Sequence, residues 1–153
     1  MNQRLPRKLA AILYADVAGY SRLTGEDEDG THRRLRSCLS AADECVKQYG
    51  GRVCHYAGDA LLVDFPSAVS ALECAVYMQE KFRQCNIDEP DTGNMAFRIG
   101  LNLGEVIVDE EEIYGDSVNI AARLESIAEP GGICVSRKIW EEVTGRVDYQ
   151  FVD

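Results

Sequence analysis

Apolar and polar positions divide this chain into strands and helices before any chemistry is considered. Leu9 to Val17 is a nearly unbroken apolar run and predicts a strand buried on both faces, ended by Gly19 and the polar stretch after it. Leu35, Leu39, Ala42, Val46 and Tyr49 recur at helical spacing until Gly50 and Gly51 supply a stop. "RVCHYAGDALLVDF" reads as two short β-rich runs joined through Gly58-Asp59, a hairpin. Pro66-Ser67 then starts a helix whose stripe is Ala71, Leu72, Ala75, Met78 and Phe82, and "NIDEPDTGN" follows as a surface loop.

Beyond that loop, Phe97, Ile99 and Leu101 alternate with Arg98, Gly100 and Asn102, which marks a strand, and "GEVIV" is expected to be its partner. "DEEE" lies at a turn, and "GDSVNIAARLESIAEPGG" is a helix with Asp116 or Ser117 near its start and Pro130-Gly131 past its end. Ile133 to Val135 can form a strand, Ser136 can cap a short helix through Trp140, and Tyr149 to Val152 is expected to begin a last strand. The β-α-β-β-α-β order with added C-terminal elements predicts an α+β, ferredoxin-like fold, helices packed on an antiparallel sheet. That topology sets the first strand beside the central hairpin, so Asp16 at the end of one can meet Asp59 at the turn of the other.

Length and composition narrow the picture. At 153 residues and 46% hydrophobic, the chain suits one core and reads as one domain over 1–153. Sixteen basic against 26 acidic residues give a net charge of -10, which argues against nucleic acid or anionic lipid as a partner. No apolar run reaches membrane-spanning length, and Asp16 interrupts the signal-like opening "RKLAAILYADVAGY" before any cleavage site. The six cysteines show no paired metal spacing and fall within apolar periodic segments, as expected of buried thiols in a reducing cytoplasm.

Two carboxylates meeting at strand ends, each near a glycine, are hard oxygen ligands with room for phosphate close to the backbone, as a pair of magnesium ions on a polyphosphate requires. The loop "DVAGYS", with Gly19, could add backbone N–H groups toward phosphate oxygens. Asn119 and Arg123 stand four apart on one helix and so share a face, where an amide and a long cation could hold a ribose oxygen and the charge on a transferring phosphorus. Read alone, that face is an exposed flank salted by Glu125.

The segments "ILYADVAGYSRL", "GGRVCHYAGDALLVDF", "FRIGLNLGEV" and "IYGDSVNIAARLE", in this order, resemble the catalytic domain of the class III nucleotidyl cyclases, adenylate and guanylate cyclases, over most of the chain. The terminal strands that usually close such domains are missing, so the resemblance implies a domain lacking its last strands. It implies two Mg2+ (or Mn2+) ions per site on Asp16 and Asp59, with the Val17 carbonyl a further ligand. It also implies Arg98 on phosphate, Asn119 orienting the ribose and Arg123 stabilising the transition state. Glu112 stands where adenylate cyclases usually carry an aspartate that reads the adenine amino group. His55 departs from the family, occupying the position of a lysine that donates to adenine N1; a neutral imidazole can still donate one hydrogen bond.

The expected activity is therefore that of a cytoplasmic adenylate cyclase converting ATP to cyclic AMP and pyrophosphate. Because such enzymes draw the metal aspartates from one chain and the Asn119 and Arg123 positions from the other, a homodimer would form two equivalent sites. A weakened relative serving as a nucleotide-binding or dimerising module is the alternative, favoured by His55 and the missing terminus. A palm-type polymerase or cyclic dinucleotide synthase would want an acidic pair where this hairpin has only "GDA".

Overall fold

The computed structural model describes residues 4–88 and 95–152. Its elements are β1 (Arg7–Val17), α1 (Tyr20–Glu26), α2 (Glu28–Gln48), β2 (Arg52–Ala57), β3 (Ala60–Phe65), α3 (Ala68–Asp88), β4 (Phe97–Asp109), β5 (Glu112–Tyr114), α4 (Asp116–Ile127), β6 (Ile133–Val135) and α5 (Arg137–Val143). The sheet runs β2-β3-β1-β4-β5, and β6 lies parallel to the first part of β4. The ferredoxin-like α+β core is thus present as β1-α2-β2-β3-α3-β4, with four further elements after it.

Side-chain alternation decides the layers. On one face Ala11, Leu13, Ala15 and Val17 of β1 join Val63, Phe65, Ile99 and Leu101 in a core shared with α2, α3 and α5. On the other face Ala10 and Ile12 meet Leu62, Val106, Ile113 and Ala121 of α4. Two glycines on β4 let α4 come close. A Cβ on Gly100 would lie 2.4 Å from the Ala121 carbonyl oxygen, and one on Gly104 would lie 2.2 Å from Ser117 Oγ.

That packing corrects one expectation. "GEVIV" does not turn back as a partner strand; it continues β4 through Gly104, whose glycine admits a helix rather than a turn. The partner is β5, paired through Asp109↔Glu112 across a turn in which Glu110 adopts φ 58.

Other departures are local. The polar stretch after Gly19 forms α1, and α2 begins at Glu28, where the Asp27 side chain accepts from the Gly30 N–H at 3.0 Å. Leu9 is 70% exposed because it lies where β1 runs past the core, so burial on both faces begins only at Ala10. Tyr149 to Val152 forms no strand, having no neighbour among the described residues to pair with. The loop expected at "NIDEPDTGN" begins late: Asn86 to Asp88 end α3, and residues 89–94 lie outside the described residues.

Candidate active site

Strand register assembles the first cluster. β1 pairs β3 on one side and β4 on the other, so the end of β1 stands between the Gly58-Asp59 turn and Arg98, which is the direct register partner of Asp16. Gly58 at φ 61 lets the hairpin turn tightly, and Asp59 Oδ2 accepts from the Val17 N–H at 2.9 Å. The expected meeting of Asp16 and Asp59 at adjoining strand ends is therefore observed. Arg98 reaches both oxygens of Asp16 at 3.2 Å and also donates to the Ser126 carbonyl.

Glu125, part of an exposed flank when the helix is read on its own, is 3% exposed in the structure and 3.2 Å from Arg98. Its burial follows from Gly100, where α4 rests directly on the strand. A glycine inside an otherwise regular strand was the signal that could have revealed it. Burial first, and then the adjacent Asp16 carboxylate, push Glu125 up to about 8, against the pull of Arg98. Tyr14 is likewise raised, by burial and then by Glu125, Asp16 and Asp59. Asp16 and Glu125 thus share the Arg98 guanidinium, and Asp59 adds a carboxylate that Arg98 does not engage, an acidic setting that suits a hard cation. Among the described residues no three acidic, histidine or cysteine side chains form a closed metal cage. Mg2+ does not need one, because it is usually held by one or two carboxylates with phosphate and water completing its shell.

The loop after Asp16 is partly committed already. The N–H of Val17 goes to Asp59 and that of Ala18 to the Ala96 carbonyl, while Gly19 at φ 66 offers its carbonyl to Leu23 at the start of α1.

A second cluster forms where the sheet curls. A β-bulge between Val53 and His55 shifts the β2 register, so Val53 opposes Val63 while His55 opposes Leu62. Without the bulge, His55 would share the Val53 face; with it, the imidazole stands on the α4 side. There its Nδ1 lies 3.1 Å from Glu112 Oε1 of β5. Two residues from opposite edges of the sheet, 57 positions apart, are thereby brought into contact.

Asn119 and Arg123 are not joined to either cluster within the chain. Both are exposed on α4, and neither side chain has a hydrogen-bond or ion-pair partner among the described residues. Ile120 and Ile127, the latter 73% exposed, share the solvent-facing part of the helix with them.

Comparison with known proteins agrees with this architecture. The profile of the family described as "Adenylate and Guanylate cyclase catalytic domain" matches residues 5–153. A Rhizobium meliloti protein named "Putative adenylate cyclase 3" is 43% identical over 99% of this chain, which spans only 26% of that relative's length. The crystal structure of an adenylate/guanylate cyclase/hydrolase from Silicibacter pomeroyi superposes with a TM-score of 0.88 at 40% identity, covering 98% of this chain and 88% of that one. The guanylyl cyclase Cya2 superposes with a TM-score of 0.84 at 26% identity, over 95% of this chain and 83% of its own. The chain belongs to the class III nucleotidyl cyclases, the family of adenylate and guanylate cyclase catalytic domains.

Proposed function

We propose that residues 1–153 act as one catalytic domain that converts ATP to 3′,5′-cyclic AMP and pyrophosphate, at sites shared between two copies of the chain. The observation that carries this reading is the junction of Asp16 and Asp59 at neighbouring strand ends, where β1 runs between β3 and β4.

Asp16, Asp59 and the Val17 carbonyl would hold the two Mg2+ or Mn2+ ions typical of the family. When bound, such ions acidify the nucleotide 3′-hydroxyl and offset the charge of the triphosphate. The hydroxyl oxygen bonds to the α-phosphorus as the α-β bridging bond breaks in line, pyrophosphate carries away that electron pair, and the hydroxyl proton passes to solvent. Arg98 serves the phosphates once it gives up part of its hold on Asp16 and Glu125, so substrate competes with an internal ion pair for it. Gly19 gives the chain room to pass close to phosphate.

Glu112 supports ATP as the substrate. Its carboxylate accepts from the adenine amino group but would face the guanine carbonyl oxygen with a like partial charge. His55 stands beside it with Nδ1 on the Glu112 carboxylate, so it donates to adenine N1 from Nε2 when both ring nitrogens carry protons, or when its one N–H is released from Glu112.

Asn119 and Arg123 support the dimer. An amide and a cation without partners among the described residues of their own chain, beside exposed Ile120 and Ile127, suit a flank that meets a second copy and completes its site. Asn119 then orients the ribose and Arg123 stabilises charge on the transferring phosphorus.

The test is to incubate the purified chain with ATP or GTP plus Mg2+ or Mn2+ and identify products chromatographically. Cyclic AMP formed faster than cyclic GMP supports the reading. Nucleotide binding with no cyclic product from either would reduce the domain to a binding or dimerising module.

A further inference from the structure

Glu112 sits on a strand of only three residues at the sheet margin, reached through a turn that contains a non-glycine residue in the left-handed region. Ile113 anchors that strand in the core, and the position of the turn before it calls for a cause of its own. Arg52 at the start of β2 supplies one from the other side of the sheet. Its Nη1 donates to the Glu111 carbonyl at 2.6 Å, one residue before Glu112, while its Nη2 meets Asp64 Oδ2 at 3.3 Å. Asp64 is itself fixed: it is 5% exposed, lies on β3 and is held by Lys8 Nζ at 2.5 Å.

A continuous bonded path therefore runs from β1 to β5: Lys8, Asp64, Arg52, the Glu111 backbone, Glu112 and His55. The guanidinium is the member that cannot be replaced by a point charge. Its planar fork engages a carboxylate on one side and a carbonyl on the other, whereas an ammonium presents a single nitrogen. Arg52 also lies on the same strand as His55, just before the bulge that turns the imidazole toward Glu112. One residue thus ties together the strand carrying the donor and the turn carrying the acceptor.

We infer that Arg52 is a positioning residue for base selection, clamping the β4–β5 turn so that the Glu112 carboxylate is held against His55 and both face the purine together. This rests on the reading of Glu112 and His55 as the base-recognising pair. Arg52 itself touches neither substrate nor reacting atoms, so its loss should alter which base is used more than how fast the chemistry runs.

The test compares the parent with Arg52→Lys, Arg52→Ala and Glu112→Gln in kcat and KM for ATP and GTP, in melting temperature, and in the 15N resonance of His55 Nδ1. Arg52→Lys is the decisive variant, because it keeps a cation beside buried Asp64 and should fold even where Arg52→Ala does not. The expected result is a fall of about tenfold in the ATP-to-GTP ratio of kcat/KM, carried by KM for ATP with kcat retained. The His55 Nδ1 resonance should move toward its position in Glu112→Gln. If Glu112→Gln changes the base ratio while Arg52→Lys leaves both ratio and resonance at parental values, the clamp is wrong and the base reading stands. If Glu112→Gln leaves the ratio unchanged, the base reading fails and the inference goes with it. The resonance decides the clamp even where turnover is too slow to measure.

Discussion

The two clusters that strand pairing creates are held to different degrees. Around Asp16 the contacts are several: Arg98 grips both carboxylate oxygens, meets Glu125 and donates to a helix carbonyl, and Asp59 is tied to the backbone of β1. The His55–Glu112 pair is a single contact of 3.1 Å between side chains about one half and one third exposed. In a polar, half-buried setting the first arrangement resists displacement, while the second is weakly stabilised and screened by solvent. On the proposed function this contrast separates the chemistry, which tolerates little movement, from the choice of base, which a few changes can retune.

The sharpest way to break that contrast is at Asp59. Asp59→Asn retains an oxygen to accept from the Val17 N–H but loses the charge, so its melting temperature should stay near the parent's while cyclase activity falls by about a thousandfold or more. Asp59→Ala should be equally inactive and also less stable by about 1 kcal/mol, because the buried Val17 N–H is left without its acceptor. Parental turnover by Asp59→Asn would remove this residue from the metal site.

The next largest effect concerns the separation of Asn119 and Arg123 from the aspartate cluster. Asp16→Ala and Arg123→Ala should each be inactive alone. After random subunit exchange in an equal mixture, half the dimers are mixed and each contains one site with both residues, so roughly a quarter of parental activity should return. Exchange demonstrated by a tag, with no activity recovered, would show that the site is not shared between copies.

These tests turn on features that the sequence exposed unevenly. The βαββαβ core and the meeting of Asp16 with Asp59 were legible because apolar period and glycine turns are local, and topology then sets strand ends side by side. Glu125 was hidden. A helix period alone cannot say which flank meets a sheet when a glycine such as Gly100 lets the backbone come within reach. Gly104 misled in the opposite direction, reading as the end of one strand when it lies in the middle of thirteen residues of β4. The side of the sheet taken by His55 was hidden too, since it depends on a one-residue bulge with no marker in "RVCHYAGD". In each case the missing information was a long-range contact between backbones.

Glu125 also gives a smaller, pH-linked effect that sharpens the picture of the tightly held cluster. In chelator, its carboxyl has a folded-state pKa raised to about 8, above its ordinary unfolded value. The neutral form is therefore the one the fold prefers. The associated stability is fully present below the unfolded value near 4.5 and is lost as pH rises toward about 8. The melting temperature of the parent should decline across that window, and Glu125→Gln, which cannot ionise, should flatten the decline. A parallel slope in the two proteins would mean that the carboxyl ionises in the fold without cost, with Arg98 balancing it fully.

The smallest effect is expected at His55, where the loosely held pair meets the family's usual lysine. A lysine at this position can donate to adenine N1 with a charge behind it, and charge-assisted hydrogen bonds are about twice as strong as neutral ones, so His55→Lys should raise the ATP-to-GTP ratio of kcat/KM by about three- to fivefold. The structure limits how far the gain can go. Glu112 already lies 3.1 Å from the imidazole, and an ammonium placed there would divide its attraction between that carboxylate and the base. The gain should therefore appear as a lower KM for ATP with little change in kcat, and pairing His55→Lys with Glu112→Gln should show whether the carboxylate was restraining the lysine. Without the carboxylate, the lysine is free to donate to N1 but equally free to reach the guanine carbonyl oxygen, so the double variant should bind both nucleotides and discriminate poorly. A ratio unmoved by either substitution would place base selection elsewhere and leave His55 as a strand residue turned outward by its bulge.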